Sequence, residues 1–223
     1  MSYTIRDMPK PVDAALLDKA KVVETATIGH RRFLGFAEPA IQAILPGQRR
    51  VAGTAVTLAL PGQDSTLLHH IIQFLRPGDV LVIDRLGDHR HACLGGGVAV
   101  AIKARGVEGV VIDGTCTDVP EIDQYDLPVW CRGPSPITTR IYDVGGAFNV
   151  DIAIGGAVVH PGDLVVCDYS GVLVMPPDDA EADIDWALGK QASEPASHAA
   201  MMEGALLGER SGASAKVLAR HKG

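Results

Sequence analysis

One stretch limits the possible folds more than any other: residues 78–121, GDVLVIDRLGDHRHACLGGGVAVAIKARGVEGVVIDGTCTDVPE. Residues 80–83 and 109–112 are short apolar runs of the buried-strand type. Between them, residues 98–105 have the spacing of an amphipathic helix. The segment reads as strand, polar loop, triple-glycine turn, helix, strand and a second polar turn carrying acids. The residues capable of chemistry fall in the turns at the strand ends.

The rest of the 223 residues supplies many short strands. VAGTAVTLAL, after the Pro46-Gly47 turn, is a near-ideal β run, and residues 65–75 form a helix that Pro77-Gly78 ends. Residues 128–131, 148–154, 157–160, 164–167 and 171–175 are further strands, and residues 132–140 are a polar loop. Apolar residues recur at helical spacing over about 11–29, with Asp13 placed to cap the start. A helical tail covers about 178–223, interrupted around Ser193 to Pro195, and ends in a basic, frayed segment. The pattern Pro-Gly-Asp-hydrophobic-Asp occurs at residues 77–84 and again at 161–168, which predicts the same turn entering a buried strand twice. No low-complexity linker intervenes, so residues 1–223 read as one domain. With β-α-β crossovers only in the middle, a mixed α/β layered or barrel-like core flanked by helices fits better than a regular doubly wound sheet.

Composition narrows the partners. A formal charge of -7 argues against a nucleic-acid scaffold, which needs clustered Lys and Arg. The four cysteines lie in or beside apolar segments without a C-x-x-C pair, so they read as small buried residues of a reducing compartment, with zinc ligation the lesser alternative. The N-terminus lacks the apolar core of a signal peptide and no apolar run reaches membrane-spanning length. These features predict a cytoplasmic protein.

Three constellations carry candidate chemistry. Gly95, Gly96, Gly97 and Val98 open a helix, whose first amides have no internal partner and could hold a carboxylate or phosphate; alternatively the glycines only permit a tight turn. Asp118 and Glu121 could supply oxygen ligands to a hard divalent cation, or could form a capping box, with Asp118 as the cap and Glu121 at the third helical position. Spacing alone favours the capping box. Asp84, Arg85, Asp88, His89, Arg90 and His91 form a dense titratable cluster after a buried strand. There Arg85 and Arg90 could clamp a carboxylate and a histidine could move protons, or the loop is simply solvated.

Taken in order, GDVLVID, LGGG, ARGVEGVVIDG, TD-x-x-E, LPVWCRGPSP and HPGDLVVCDYSGVLVMPP resemble the RraA-like family, over about residues 48–177. That family includes the regulator of ribonuclease E activity and the 4-hydroxy-4-methyl-2-oxoglutarate / 4-carboxy-4-hydroxy-2-oxoadipate aldolases. The resemblance implies a swivelling β/β/α fold, assembly as trimers or hexamers with sites at subunit boundaries, and class II aldolase chemistry with Mg²⁺ or Mn²⁺ that extends to oxaloacetate decarboxylation. It places the metal on Asp118, matches Glu121 to the acid after it, and matches Gly95, Gly96, Gly97, Val98 and Arg90 to the family's glycine-rich loop. Two positions depart from the pattern. Gly96 stands where the family aldolases carry an acid, and Thr117 stands where they carry the arginine that grips the pyruvyl carboxylate. Arg85, Arg90 or Arg140 could supply the missing charge, with Asp84, Asp88 or His91 assisting proton transfer. A further family acid comes from a neighbouring subunit, for which Glu194, Glu203 and Glu209 are candidates. The expectation is therefore a metal-dependent lyase on a small 2-oxo acid with altered specificity. The alternatives are a non-catalytic regulator of the ribonuclease-inhibitor type or an enzyme for another acid.

Overall fold

The computed structural model describes residues 2–221. The last two residues of the expected basic tail therefore lie outside the described residues. The architecture is mixed α/β, as the sequence predicts: a nine-stranded mixed sheet among the described residues, with helices on its faces.

β3 (Val51–Ala59) is the hub because it is long enough to serve three neighbours. One edge pairs in parallel with β4 (Asp79–Asp84), which continues in parallel to β5 (Gly109–Asp113) and β6 (Val129–Cys131). On its other edge, the first half of β3 pairs antiparallel with β10 (Leu164–Asp168), and the last two residues pair with β7 (Gly146–Phe148). β1 (Tyr3–Ile5) adds in parallel to β7, β2 (Gln42–Ala43) closes on β6, and β11 (Gly171–Met175) pairs with β10. β8 (Ile152–Ile154) and β9 (Ala157–Val159) form a separate hairpin. The parallel strands are joined by α3 (Thr66–Ile71, extended by a turn of 3₁₀ helix at Ile72–Phe74), α4 (Gly96–Lys103) and α5 (Val119–Gln124).

Alternation along the strands divides the core between two faces. Leu81 and Ile83 of β4 face the helices α3 to α5 with Leu68, Ile102 and Ile122. Val80 and Val82 face the opposite layer, with Trp130, Ile154 and Val165. A third cluster joins Val166 and Leu173 of the β10–β11 hairpin to the helices at both ends of the chain. Parallel strands covered on both faces must read as continuous apolar runs, which is why this segment was so legible.

The repeated Pro-Gly-Asp pattern folds twice into the same turn. The Asp79 carboxylate accepts from the Arg76 amide and the Asp163 carboxylate from the His160 amide, each at 2.8 Å. Gly78 and Gly162 take φ of 85° and 95° between them, backbone that glycine adopts without steric cost. The two strands that follow flank β3 on opposite edges.

Several expectations need correction. The N-terminal helix is two, α1 (Ala14–Ala20), capped by Asp13 as expected, and α2 (Thr25–Ile28). They separate because the buried Asp168 carboxylate captures both the amide and the hydroxyl of Thr25, at 2.8 and 2.7 Å. The strand expected over residues 148–154 is broken at Asn149, whose φ is 53°. α6 (Pro177–Met202) runs through Pro195 without the expected gap. The ring removes one helical donor, but the flanking residues are exposed enough for water to replace it. α7 (Leu207–Arg210) and α8 (Ala213–Leu218) complete the tail. No described helix is long and apolar enough to cross a membrane.

Candidate active site

The loops after β4, β5 and β6 are laid side by side by single backbone pairings, Leu94 with Cys116, Cys116 with Pro134, and Ala92 with Thr138. A further pairing of Asp64 with Arg140 draws in the start of α3. These contacts turn the expected polar loop 132–140 into one wall of a cleft of about 830 Å³. The α4 start (Gly95, Gly96, Gly97 and Val98) lines the cleft together with Thr117 and Asp118. Ser65, His69 and Gln73 of the α3 segment line it too, with Arg140. A volume of this order suits a small organic ligand.

Asp118 does not cap its own helix. It sits in the left-handed region, φ 53° and ψ 42°, and makes no side-chain cap hydrogen bond to α5. Instead the Gly96 amide donates to Asp118 Oδ2 at 3.0 Å, while the Thr117 hydroxyl donates to Oδ1 at 3.2 Å. The capping box favoured on spacing is thus replaced by a cap given across the site to α4. A residue held in left-handed backbone costs about 1–3 kcal/mol, and aspartate tolerates it better than most. The twist aims the carboxylate at the neighbouring helix.

Glu121 points the same way. A Cβ built on Gly96 would lie 1.5 Å from Glu121 Oε2, so this carboxylate fills the space a side chain at position 96 would take. Beside it, a Cβ on Gly95 would meet Asp118 Oδ2 at 2.6 Å. Glycine at both positions follows from packing against the two acids, whereas Gly97 faces open space. Ala99 is the first α4 residue whose amide returns to the preceding turn, donating to the Gly95 carbonyl. The Gly97 and Val98 amides are left at the cleft.

The third expected constellation does not line this cleft. Arg85 is fully buried and acts as an internal strut, donating to the carbonyls of Leu60 (3.1 Å) and Gly62, with Asp88 at 3.6 Å. It cannot reach a substrate. Asp88 receives the Arg90 and His91 amides and contacts the His91 ring at 2.8 Å. Burial raises its pKa, but these donors and the nearby imidazole outweigh burial and hold the carboxyl below its ordinary range. Asp84 receives the Leu86 amide at 2.6 Å. Asp84, Asp88, Arg90 and His91 are all absent from the cleft lining. Glu194 lies in α6, Glu203 follows it as the C-cap and Glu209 lies in α7, and none of them lines the cleft of its own chain.

All four cysteines are buried and free. Cys93, which borders the cleft, is pushed up to about 11 by burial, so it is no nucleophile at neutral pH. Cys116 and Cys131 are in thiol–thiol contact at 3.6 Å. Among the described residues no group of three or more His, Cys, Asp or Glu side chains is arranged to hold a metal. Asp118 and Glu121 are nevertheless the donors a hard cation such as Mg²⁺ takes, since it commonly keeps several waters and binds through one or two carboxylates. The donor set fits that group and does not fit zinc, which favours nitrogen and sulfur ligands.

Sequence reasoning missed the far wall: Ser65, His69, Gln73, Thr138 and Thr139 are brought to the site only by long-range backbone pairing.

The RraA-like family, described as Aldolase/RraA, matches residues 14–174. A Halalkalibacterium halodurans protein, provisionally named as a 4-hydroxy-4-methyl-2-oxoglutarate aldolase, is 33% identical over 154 residues, 69% of this chain and 73% of that protein. The crystal structure of Streptomyces coelicolor RraAS2, described as an unusual member of the RNase ES inhibitor RraA family, superposes with a TM-score of 0.72 at 30% identity, covering 86% of this chain and 98% of the other. An uncharacterised Pseudomonas syringae structure gives 0.75 at 26% identity, over 93% and 98%.

Proposed function

Because the chain belongs to the RraA-like family, we propose that it is a metal-dependent lyase cleaving a carbon–carbon bond in a small 2-oxo acid. The observation that carries this reading is the convergence of Asp118 and Glu121 on the Gly96 end of α4, at a cleft with room for such an acid. Asp118, which lines the cleft, would hold Mg²⁺ or Mn²⁺, with Glu121 ordering its water. When bound, the cation supplies Lewis acidity that offsets the negative charge developing on the 2-oxo oxygen as the bond breaks.

The chain's own contribution is positioning. The Gly97 and Val98 amides offer two donors at the positive end of a helix dipole, suited to the substrate carboxylate. The left-handed backbone at Asp118 fixes its carboxylate before substrate arrives, so little reorganisation is needed during reaction. Thr117 contributes a hydroxyl where the resemblance leads one to expect a guanidinium, which is the reason to expect altered specificity. A single copy brings only two acids to the site, so we read the working form as a cytoplasmic homo-oligomer, a trimer or hexamer. Light scattering should give three or six times 23.4 kDa, and a monomer or dimer would refute the assembly.

The test is pyruvate release from oxaloacetate and from 4-hydroxy-4-methyl-2-oxoglutarate, with Mg²⁺ or Mn²⁺ and with EDTA. Metal-dependent release supports the reading, and no release from either acid overturns it. The uncharged residues at positions 96 and 117 and the likeness to the Streptomyces inhibitor-family structure favour a second reading, a non-catalytic ribonuclease-binding protein. Failure of turnover together with inhibition of a purified RNase E-type enzyme would select it.

A further inference from the structure

We propose that Arg140 sets the specificity of the cleft by pairing with a second carboxylate, on an acid whose 2-oxo-carboxylate end lies at the α4 start. The inference rests on the 2-oxo-acid reading for that first carboxylate. The role of Arg140 as a cation stands on separate observations.

Three arginines near the strand ends could offer charge to a bound acid, and the structure separates them. Arg85 is buried and committed to two backbone carbonyls and Asp88. Arg90 does not line the cleft. Arg140 does, and it is the one lysine or arginine among the lining residues.

Its geometry is that of a cation held in place and left unspent. The Arg140 amide donates to Gln63 O at 2.8 Å, and its carbonyl accepts from the Ser65 amide at 2.9 Å. The guanidinium is tethered through Nη1 alone, to the carbonyls of Thr138 and Thr139, both at 3.0 Å, and to the Thr138 hydroxyl. Among the described residues, Nε and Nη2 make no hydrogen bond and no carboxylate lies within ion-pairing distance. By contrast, Arg132 at the neighbouring strand end is paired with both Asp113 and Glu38. Asp64, whose backbone pairs with that of Arg140, does not neutralise it. The Asp64 carboxylate is already taken by the Thr66 amide and hydroxyl and by the Tyr142 and Val144 amides.

The free Nε–Nη2 edge is the side of a guanidinium that grips a carboxylate with two parallel bonds. In a chain of formal charge -7, an unpaired arginine in a cleft is a specific attraction for an anion. The α4 amides and Arg140 together select a 2-oxo acid with a second, distal carboxylate over one ending in a methyl group.

A matched pair of ligands reads this directly: 2-oxoglutarate and 2-oxopentanoate, which share the 2-oxo-carboxylate end and differ in the distal group. Calorimetric titration at neutral pH with Mg²⁺ should show wild type binding 2-oxoglutarate about tenfold or more tightly than 2-oxopentanoate. Arg140→Gln should abolish the preference while leaving 2-oxopentanoate affinity unchanged, and Arg140→Lys should restore part of it. Arg140 is exposed, so both variants should keep the wild-type melting temperature. Equal binding of the two acids by wild type, or a preference that survives Arg140→Gln, overturns the inference. An Arg140-dependent preference without cleavage of any 2-oxo acid removes the lyase reading and keeps this one. Cleavage without the preference does the reverse.

Discussion

Replacing Asp64 by asparagine tests how the cleft wall is held. Asp64 is fully buried, and its two oxygens receive four donors: Thr66 N–H at 3.0 Å, Thr66 O–H at 2.6 Å, Tyr142 N–H at 3.0 Å and Val144 N–H at 2.8 Å. Burial alone would raise its pKa, but these hydrogen bonds favour the charged form more strongly and lower it from 3.8 to about 2. The folded state therefore binds this proton less readily than the unfolded chain. The resulting stability is fully present above the unfolded value of 3.8 and drains away as pH falls toward about 2. At ~1.4 kcal/mol per pH unit the contribution at neutral pH is about 2 kcal/mol. Asparagine keeps one acceptor but turns an N–H₂ toward donors, so Asp64→Asn should lose about 2 kcal/mol at pH 7, or roughly 4–8 °C in melting temperature for a chain of this size. Urea unfolding of wild type and variant at pH 7, 5, 4 and 3 measures this. The gap should be widest at pH 7 and 5 and shrink by pH 3. Equal stability at pH 7, or a gap that ignores pH, would refute the reasoning.

Two further substitutions separate structure from chemistry. Gly96→Ala drives a methyl group into the Glu121 carboxylate, so it should change stability by under about 1 kcal/mol, helix propensity offsetting the strained Glu121 rotamer. It should also lower kcat/KM as far as Glu121→Ala does, and a double-mutant cycle on kcat/KM should find the two effects non-additive, whereas additive losses would contradict the contact. Arg85→Met strands the Leu60 and Gly62 carbonyls in the core, and should cost about 2–4 kcal/mol in urea unfolding with kcat/KM of the folded protein preserved. Lost turnover at full stability would instead place Arg85 in the chemistry.

What the sequence made legible followed from local chemistry. The strands β3, β4 and β5 are apolar runs because both faces of the sheet are covered, and the Pro-Gly-Asp turns carry their own capping carboxylates. Asp118 and Glu121 could be picked out as acids after a strand, but not the direction of their side chains. That direction depends on a left-handed backbone at Asp118 and on glycines more than twenty positions earlier. Arg85 looked like a loop cation because it follows a strand and precedes polar residues. Its burial depends on carbonyls at Leu60 and Gly62, which no local pattern announces. Arg140 was one of three equivalent candidates until the pairing of residues 64 and 140 placed it on the cleft wall.

The central claim is that Asp118 organises a metal-dependent cleavage at this cleft. The most direct measurement is the initial rate of pyruvate release from oxaloacetate with Mg²⁺ or Mn²⁺, compared between wild type and Asp118→Ala and repeated in EDTA. The account predicts release by the wild-type protein that EDTA abolishes and that Asp118→Ala lowers by at least about a hundredfold, the scale on which loss of a key electrostatic stabiliser is felt. Release that survives both EDTA and the substitution would contradict it.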